Sequence, residues 1–110
     1  MFEGHKDDTG KNQVNLIVPG WMWEVGLVLS HGARKYGAGN WKLVESDRYM
    51  AALQRHYLQF ASGERFDSET GYHHLAHLSC SAMFMWHEDR KALNGELPKR
   101  ACQCHYCAGK

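Results

Sequence analysis

The sequence has almost no excess charge of either sign: 13 lysines and arginines face 12 aspartates and glutamates, a formal net charge of +1. Proteins that coat nucleic acid by neutralising phosphates carry a large basic excess, so nucleic acid is not an expected partner. Long hydrophobic runs are missing too. The longest apolar stretch, Leu78 to Trp86, is broken by serine and cysteine and too short to span a bilayer, so no membrane role is expected. Met1 to Asn12 is polar and charged and lacks the basic-then-apolar pattern of a secretory signal. The expectation is a cytoplasmic protein whose four cysteines are reduced. No stretch alternates apolar with polar as a half-buried strand would, and no Walker-type or dinucleotide glycine pattern occurs.

What is present is enough for one folded domain. The 110 residues are 44% hydrophobic and include four tryptophans, which excludes a disordered chain and allows a core without staples. Residues 1 to 19 read as an irregular arm in which only Val14 to Val18 is apolar enough to dock. A first helix is expected from Trp21 to about Lys35, on Met22, Val25, Val28 and Leu29. A second is expected from about Arg48 to Ser62, capped by Ser46 or Asp47, with Tyr49, Ala52, Leu53, His56 and Phe60 on one stripe. A third is expected from about Tyr72 to Leu93, on Leu75, Leu78, Ala82, Met85 and Trp86, with Asn94-Gly95 as its stop. The fold class is therefore all-α: a bundle of about three helices over residues 1–95, followed by a polar, cysteine-rich tail over 96–110.

Eight histidines stand out against two prolines. Histidine is the commonest metal ligand and the usual acid or base at neutral pH, so their convergence matters. His74 and His77 are three apart and share one helix face. If the second and third helices form an antiparallel hairpin, His56 and His77 stand at one height, roughly 9 Å from the turn at 1.5 Å per residue. The connecting loop adds Glu64, Asp67 and Glu69. Imidazoles and carboxylates meeting at one end of a helical hairpin suit a divalent metal or acid–base chemistry. The plainer alternatives are a hydrogen-bonded core histidine and a solvated acidic turn. His73 is out of phase with the pair and reads as surface, as do His31 and His87, while His5 and His105 fall near the ends.

A second cluster is basic and aromatic. Arg34, Lys35, Lys42, Arg48 and Arg55 flank the glycine-rich stretch Gly32 to Trp41, where the backbone can approach a ligand and Tyr36 and Trp41 can stack. An ordinary inter-helix loop, with Trp41 closing the core, explains the same residues. In the tail, Cys102-x-Cys104-x-x-Cys107 has the thiol density of a structural Zn²⁺ site but lacks a fourth ligand unless Cys80, His87 or another subunit supplies one; a reduced tail without metal is the alternative.

Several segments together resemble a known family. They are Asp8-Thr9-Gly10-Lys11, Gly32-Ala33-Arg34-Lys35-Tyr36-Gly37 with Asn40-Trp41, and Ala51-Ala52-Leu53-Gln54-Arg55-His56, followed by Gly63-Glu64, Asp67-Ser68-Glu69-Thr70-Gly71 and His74-Leu75-Ala76-His77. Spanning about residues 7 to 90, they resemble the phage-associated dATP/dGTP diphosphohydrolases, relatives of the MazG-like all-α nucleotide pyrophosphohydrolases. The resemblance implies metal-dependent hydrolysis of a deoxynucleoside triphosphate, dATP or dGTP, to the monophosphate and pyrophosphate in an oligomer, a dimer or tetramer, within host cytoplasm. The superfamily binds Mg²⁺ through Glu-x-x-Glu and Glu-x-x-Asp. Here Glu24 has no second acid three residues on, and the later motif is His74-x-x-His77.

The expected site follows from both readings. Glu24, His56, Asp67, His74 and His77 are metal-ligand candidates for Mg²⁺ or Mn²⁺, with another transition metal open because imidazoles suit those ions. The ion would activate a water for in-line attack at the α-phosphorus. Glu64, Glu69 and His74 are the candidate acid–base groups. Lys11, Lys35, Arg48 and Arg55 would hold phosphates, and Asn40 and Trp41 would read sugar or base. Two other functions fit parts of the sequence: a metal phosphohydrolase releasing triphosphate, and a zinc-stabilised adaptor for protein or nucleic acid.

Overall fold

The computed structural model describes residues 9–93. A single 3-10 turn, Val14–Leu16, lies in the N-terminal segment and is exposed. From Ile17 onward the described residues form a unit of three helices: α1 (Pro19–Tyr36), α2 (Ser46–Ala61) and α3 (His74–Ala92), with a 3-10 turn at Asn40–Leu43. Among the described residues there is no strand, only an isolated bridge between Phe66 and His73. The all-α expectation holds. None of the described helices is long and apolar enough to cross a membrane.

Local chemistry explains the helix ends. Pro19 takes the first position of α1, where its missing N–H has no partner to lose, after extended Val18. Gly37, at φ 98°, turns the chain out of the helix and donates its N–H to the Ala33 carbonyl at 2.8 Å. Arg34 and Lys35 in the last turn complement the helix dipole. The second helix starts earlier than expected. Glu45 is its N-cap without a side-chain cap bond, and Ser46 is already helical. The third begins two residues later than expected, because Tyr72 and His73 still belong to the loop.

α2 and α3 run antiparallel. Tyr49 meets Phe84, His56 stacks on His77, and Phe60 meets His73, so advancing along one helix retreats along the other. The expected α2 stripe is the observed one: Tyr49, Ala52, Leu53, His56 and Phe60 are all half-buried. In α1, Val25, Val28 and Leu29 are half-buried, but Met22 is 50% exposed.

The α3 stripe needs correction. Ala82 and Trp86 are exposed, and the buried residues are His74, Ala76, Cys80 and Ser81. A single-stripe reading assumes one partner, whereas α3 packs against both α1 and α2. Three of those four side chains, Ala76, Cys80 and Ser81, are small, which lets both neighbours come close. The Cys80 thiol donates to the Val25 carbonyl at 3.6 Å, and burial pushes its pKa up to about 12. It is a buried, hydrogen-bonded thiol.

The small-residue contact makes a stability prediction. Ala76→Leu forces extra volume into a buried site and should cost about 1–3 kcal/mol in urea unfolding. Ala82→Leu, on the exposed side, should stay within about 0.5 kcal/mol of wild type.

Candidate active site

The loop between α2 and α3 builds the site. Gly63 (φ 110°) and Gly71 (φ 80°) make the two turns, and backbone bonds from Asp67 N to the Tyr72 carbonyl and His74 N to the Arg65 carbonyl fold the loop back on itself. This geometry turns Glu64 and Asp67 toward the histidines. Asp67 Oδ2 accepts from Glu69 N, Thr70 N and the Thr70 hydroxyl, at 3.1, 2.9 and 3.1 Å. The acidic segment is therefore an ordered turn with one inward carboxylate. Glu69 stays outside: it pairs with Lys35 at 3.6 Å, with both side chains exposed. Such a pair contributes little stability.

His74 is the pivot. It is fully buried, its Nε2 lies 2.9 Å from Glu64 Oε2, and its Nδ1 lies 2.9 Å from His56 Nδ1. His56 and His77 stack with centroids 4.6 Å apart and planes 8° from parallel, at the common height that the hairpin arithmetic anticipates. Ligand atoms of His56, Asp67 and His74 all fall within 4.8 Å of one another. His77 instead bonds Thr70 Oγ1 through Nε2 at 2.7 Å. Glu24, from α1, accepts the His73 backbone N–H at 2.8 Å, outside that three-residue group.

The environment disfavours the charged form of His56 and His77. Burial, followed by repulsion from His77 and His74, pulls the His56 pKa down to about 4. Burial also lowers His77, against the opposing pull of Asp67. For Asp67, burial favours the protonated form, but the Thr70 N–H and hydroxyl and the two nearby imidazoles outweigh it and hold the carboxyl below its usual value.

The His56–His77 stack lines a cleft of about 860 Å³ between the helices. Asn40, Trp41, Arg48 and Arg55 line the same cleft, so four of the expected substrate-binding residues share it with His56 and His77. Trp41 is already stacked on Phe84 at 4.6 Å and meets the edge of His87 at 5.0 Å, so it also closes the core. Lys35 is on the outside with Glu69, and Lys11 is exposed in the N-terminal segment. Cys102, Cys104, Cys107 and His105 lie outside the described residues, as do His5 and the Asn94-Gly95 stop.

Three histidines read as surface are not. His73 caps α3 by accepting Leu75 N–H, with its ring against Phe60 and Phe66. His31 lines the cleft, and His87 is half-buried against Trp41. Thr70 joins the site although neither its residue type nor helical periodicity singles it out. Its signal is an Asp-x-x-Thr turn, whose side chains bond within the loop.

The profile of the dATP/dGTP diphosphohydrolase, N-terminal family matches residues 2–96. The chain belongs to this family. It is also similar to a protein of Salmonella phage PMBT28 named dATP/dGTP diphosphohydrolase, with 40% identity over 83 residues, 76% of this chain. The match spans 29% of that phage protein's length. No solved structure matches this chain. The matched region contains the whole described site.

The depressed histidines set a pH dependence of stability. Between pH 6.5 and about 4 the unfolded chain binds a proton at residue 56 that the folded chain refuses, so stability falls as pH falls through that window. Urea midpoints measured with chelator present should drop from pH 7 to pH 4.5, and His56→Asn should flatten the slope.

Proposed function

We infer that this chain hydrolyses a deoxynucleoside triphosphate, dATP or dGTP, to the monophosphate and pyrophosphate with a divalent cation. The observation that carries the reading is the closeness of two chemistries. A nitrogen–oxygen donor cluster of His56, Asp67 and His74 sits beside a cleft lined by Arg48 and Arg55. The family membership supplies the substrate class, since the phage relative is named for dATP and dGTP.

The donor set fits a cation. His56, Asp67 and His74 would hold it, since their ligand atoms all lie within 4.8 Å of one another. Two nitrogens and a carboxylate suit Mn²⁺ or another transition metal better than Mg²⁺, which favours oxygen. A cation held by these residues would supply Lewis acidity toward phosphate oxygens and water. Glu64 accepts from His74 Nε2 and fixes which nitrogen faces the cluster. Arg48 and Arg55 offer fixed positive charge to the departing pyrophosphate. Lys35 and Glu69 neutralise each other outside the site, so the reading places the burden on the arginines.

Self-association belongs to the same proposal. Trp21, Trp23, Leu43 and Trp86 are 46, 73, 83 and 55% exposed, large apolar side chains left facing solvent. A second copy of this chain would cover such surface. Sedimentation equilibrium should give the mass of two or four chains; a monomer at micromolar concentration overturns that part.

Incubation with each dNTP and Mn²⁺ or Mg²⁺ should yield monophosphate and pyrophosphate from dATP or dGTP, and EDTA should abolish it. His74→Ala should cut kcat/KM by about 100-fold. Arg55→Ala should raise KM by about tenfold or more. Inorganic triphosphate as the product would replace this reading with the other phosphohydrolase, and no product from any dNTP would overturn both.

A further inference from the structure

The geometry points to Thr70 as the positioning residue that fixes the tautomer of His77, placing the proton on Nε2 and leaving Nδ1 as the lone-pair nitrogen. The argument is a count of protons. Thr70 Oγ1 has three polar neighbours: Asp67 Oδ2 at 3.1 Å, His77 Nε2 at 2.7 Å and Tyr72 N at 3.3 Å. A hydroxyl has one proton to give and two lone pairs to fill. Tyr72 N–H can only donate, and fills one lone pair. Asp67 Oδ2 already accepts two backbone N–H groups and, as a carboxylate, has no proton of its own to offer.

Two assignments remain. If the hydroxyl proton went to His77 Nε2, the Asp67 and Thr70 oxygens would face each other at 3.1 Å with no proton between them. If it goes to Asp67, His77 must donate its Nε2–H into the second lone pair of Oγ1. Only the second arrangement puts one proton in every contact. The chain Asp67–Thr70–His77 thus works as a carboxylate–imidazole orienting pair with a hydroxyl inserted between the partners.

The same bookkeeping applies across the stack. With one proton on its ring, His74 gives Nε2–H to Glu64 and accepts at Nδ1 from His56 Nδ1–H. In the metal-free protein His56 therefore keeps its bare nitrogen at Nε2. Two loop carboxylates, Glu64 through His74 and Asp67 through Thr70, set the tautomers of His56 and His77, the two stacked rings that line the cleft. A cation at His56 and His74 would redistribute the protons of those two rings, whereas the His77 assignment rests on Thr70 and Asp67. A bare Nδ1 on a neutral imidazole accepts a proton, the property a general base needs.

The catalytic consequence rests on the proposed hydrolase function, but the tautomer assignment does not. The test uses full-length protein, ¹⁵N-labelled at histidine and treated with chelator, at pH 8. Long-range ¹H–¹⁵N correlation spectra should show His77 as the Nε2–H tautomer in wild type and in Thr70→Ser. Thr70→Val should lose that pattern and, in the dNTP assay, lower kcat about tenfold with KM little changed, while Thr70→Ser restores both readouts. An Nδ1–H pattern at His77 in wild type overturns the inference, even where Thr70→Val does not fold. An unchanged spectrum in a folded Thr70→Val overturns it as well. If wild type hydrolyses no dNTP, the hydrolase reading fails and the spectrum still decides the tautomer.

Discussion

The buried imidazole of His74 is the constraint on which this fold depends. A polar ring with no solvent contact must find partners inside the protein for both nitrogens, or cost about 1–3 kcal/mol for each one left unmade. It finds them in Glu64, from the loop, and His56, from α2. Those two bonds fix the register of the α2–α3 hairpin more sharply than apolar packing can, because Ala76 and Cys80 are the buried hydrophobic residues among those described. A core of small side chains tolerates sliding; a hydrogen-bonded ring between two specified atoms does not.

The rest of the site follows from that register. With His74 fixed, His77 one turn on must lie over His56, and the loop has to bring Asp67 and Thr70 to the same height. The α1 helix is tied in from the other side, where Glu24 accepts the His73 N–H and the Cys80 thiol reaches the Val25 carbonyl. Polar contacts thus connect all three helices at one end of the unit, where the arginine-lined cleft begins.

Much of this was legible in the sequence, for identifiable reasons. The α2 stripe was read correctly because that helix has one main partner, so burial follows a single 3.6-residue period. His56, His74 and His77 could be grouped because hairpin geometry is simple arithmetic along two helices. The α3 stripe failed because two partners bury two faces, and small residues then replace the large apolar ones that periodicity detects. His73, His31 and His87 were misplaced for a related cause: their neighbours Phe60, Tyr72 and Trp41 come from other elements. Thr70 escaped notice because a hydroxyl relay is a matter of distance between a loop and a helix, with no periodic trace.

Surface loops usually tolerate insertion and deletion, since lengthening one costs only a modest closure entropy. The connection between α2 and α3 has lost that freedom. It contributes Glu64 to one ring, Asp67 and Thr70 to another, and a backbone bridge at Phe66 and His73. One residue more or fewer would leave the helices able to pack and the rings without their partners. Among descendants of this module, the length of that stretch should drift less than its composition, and a change in length would mark a protein that has kept the bundle and abandoned the chemistry.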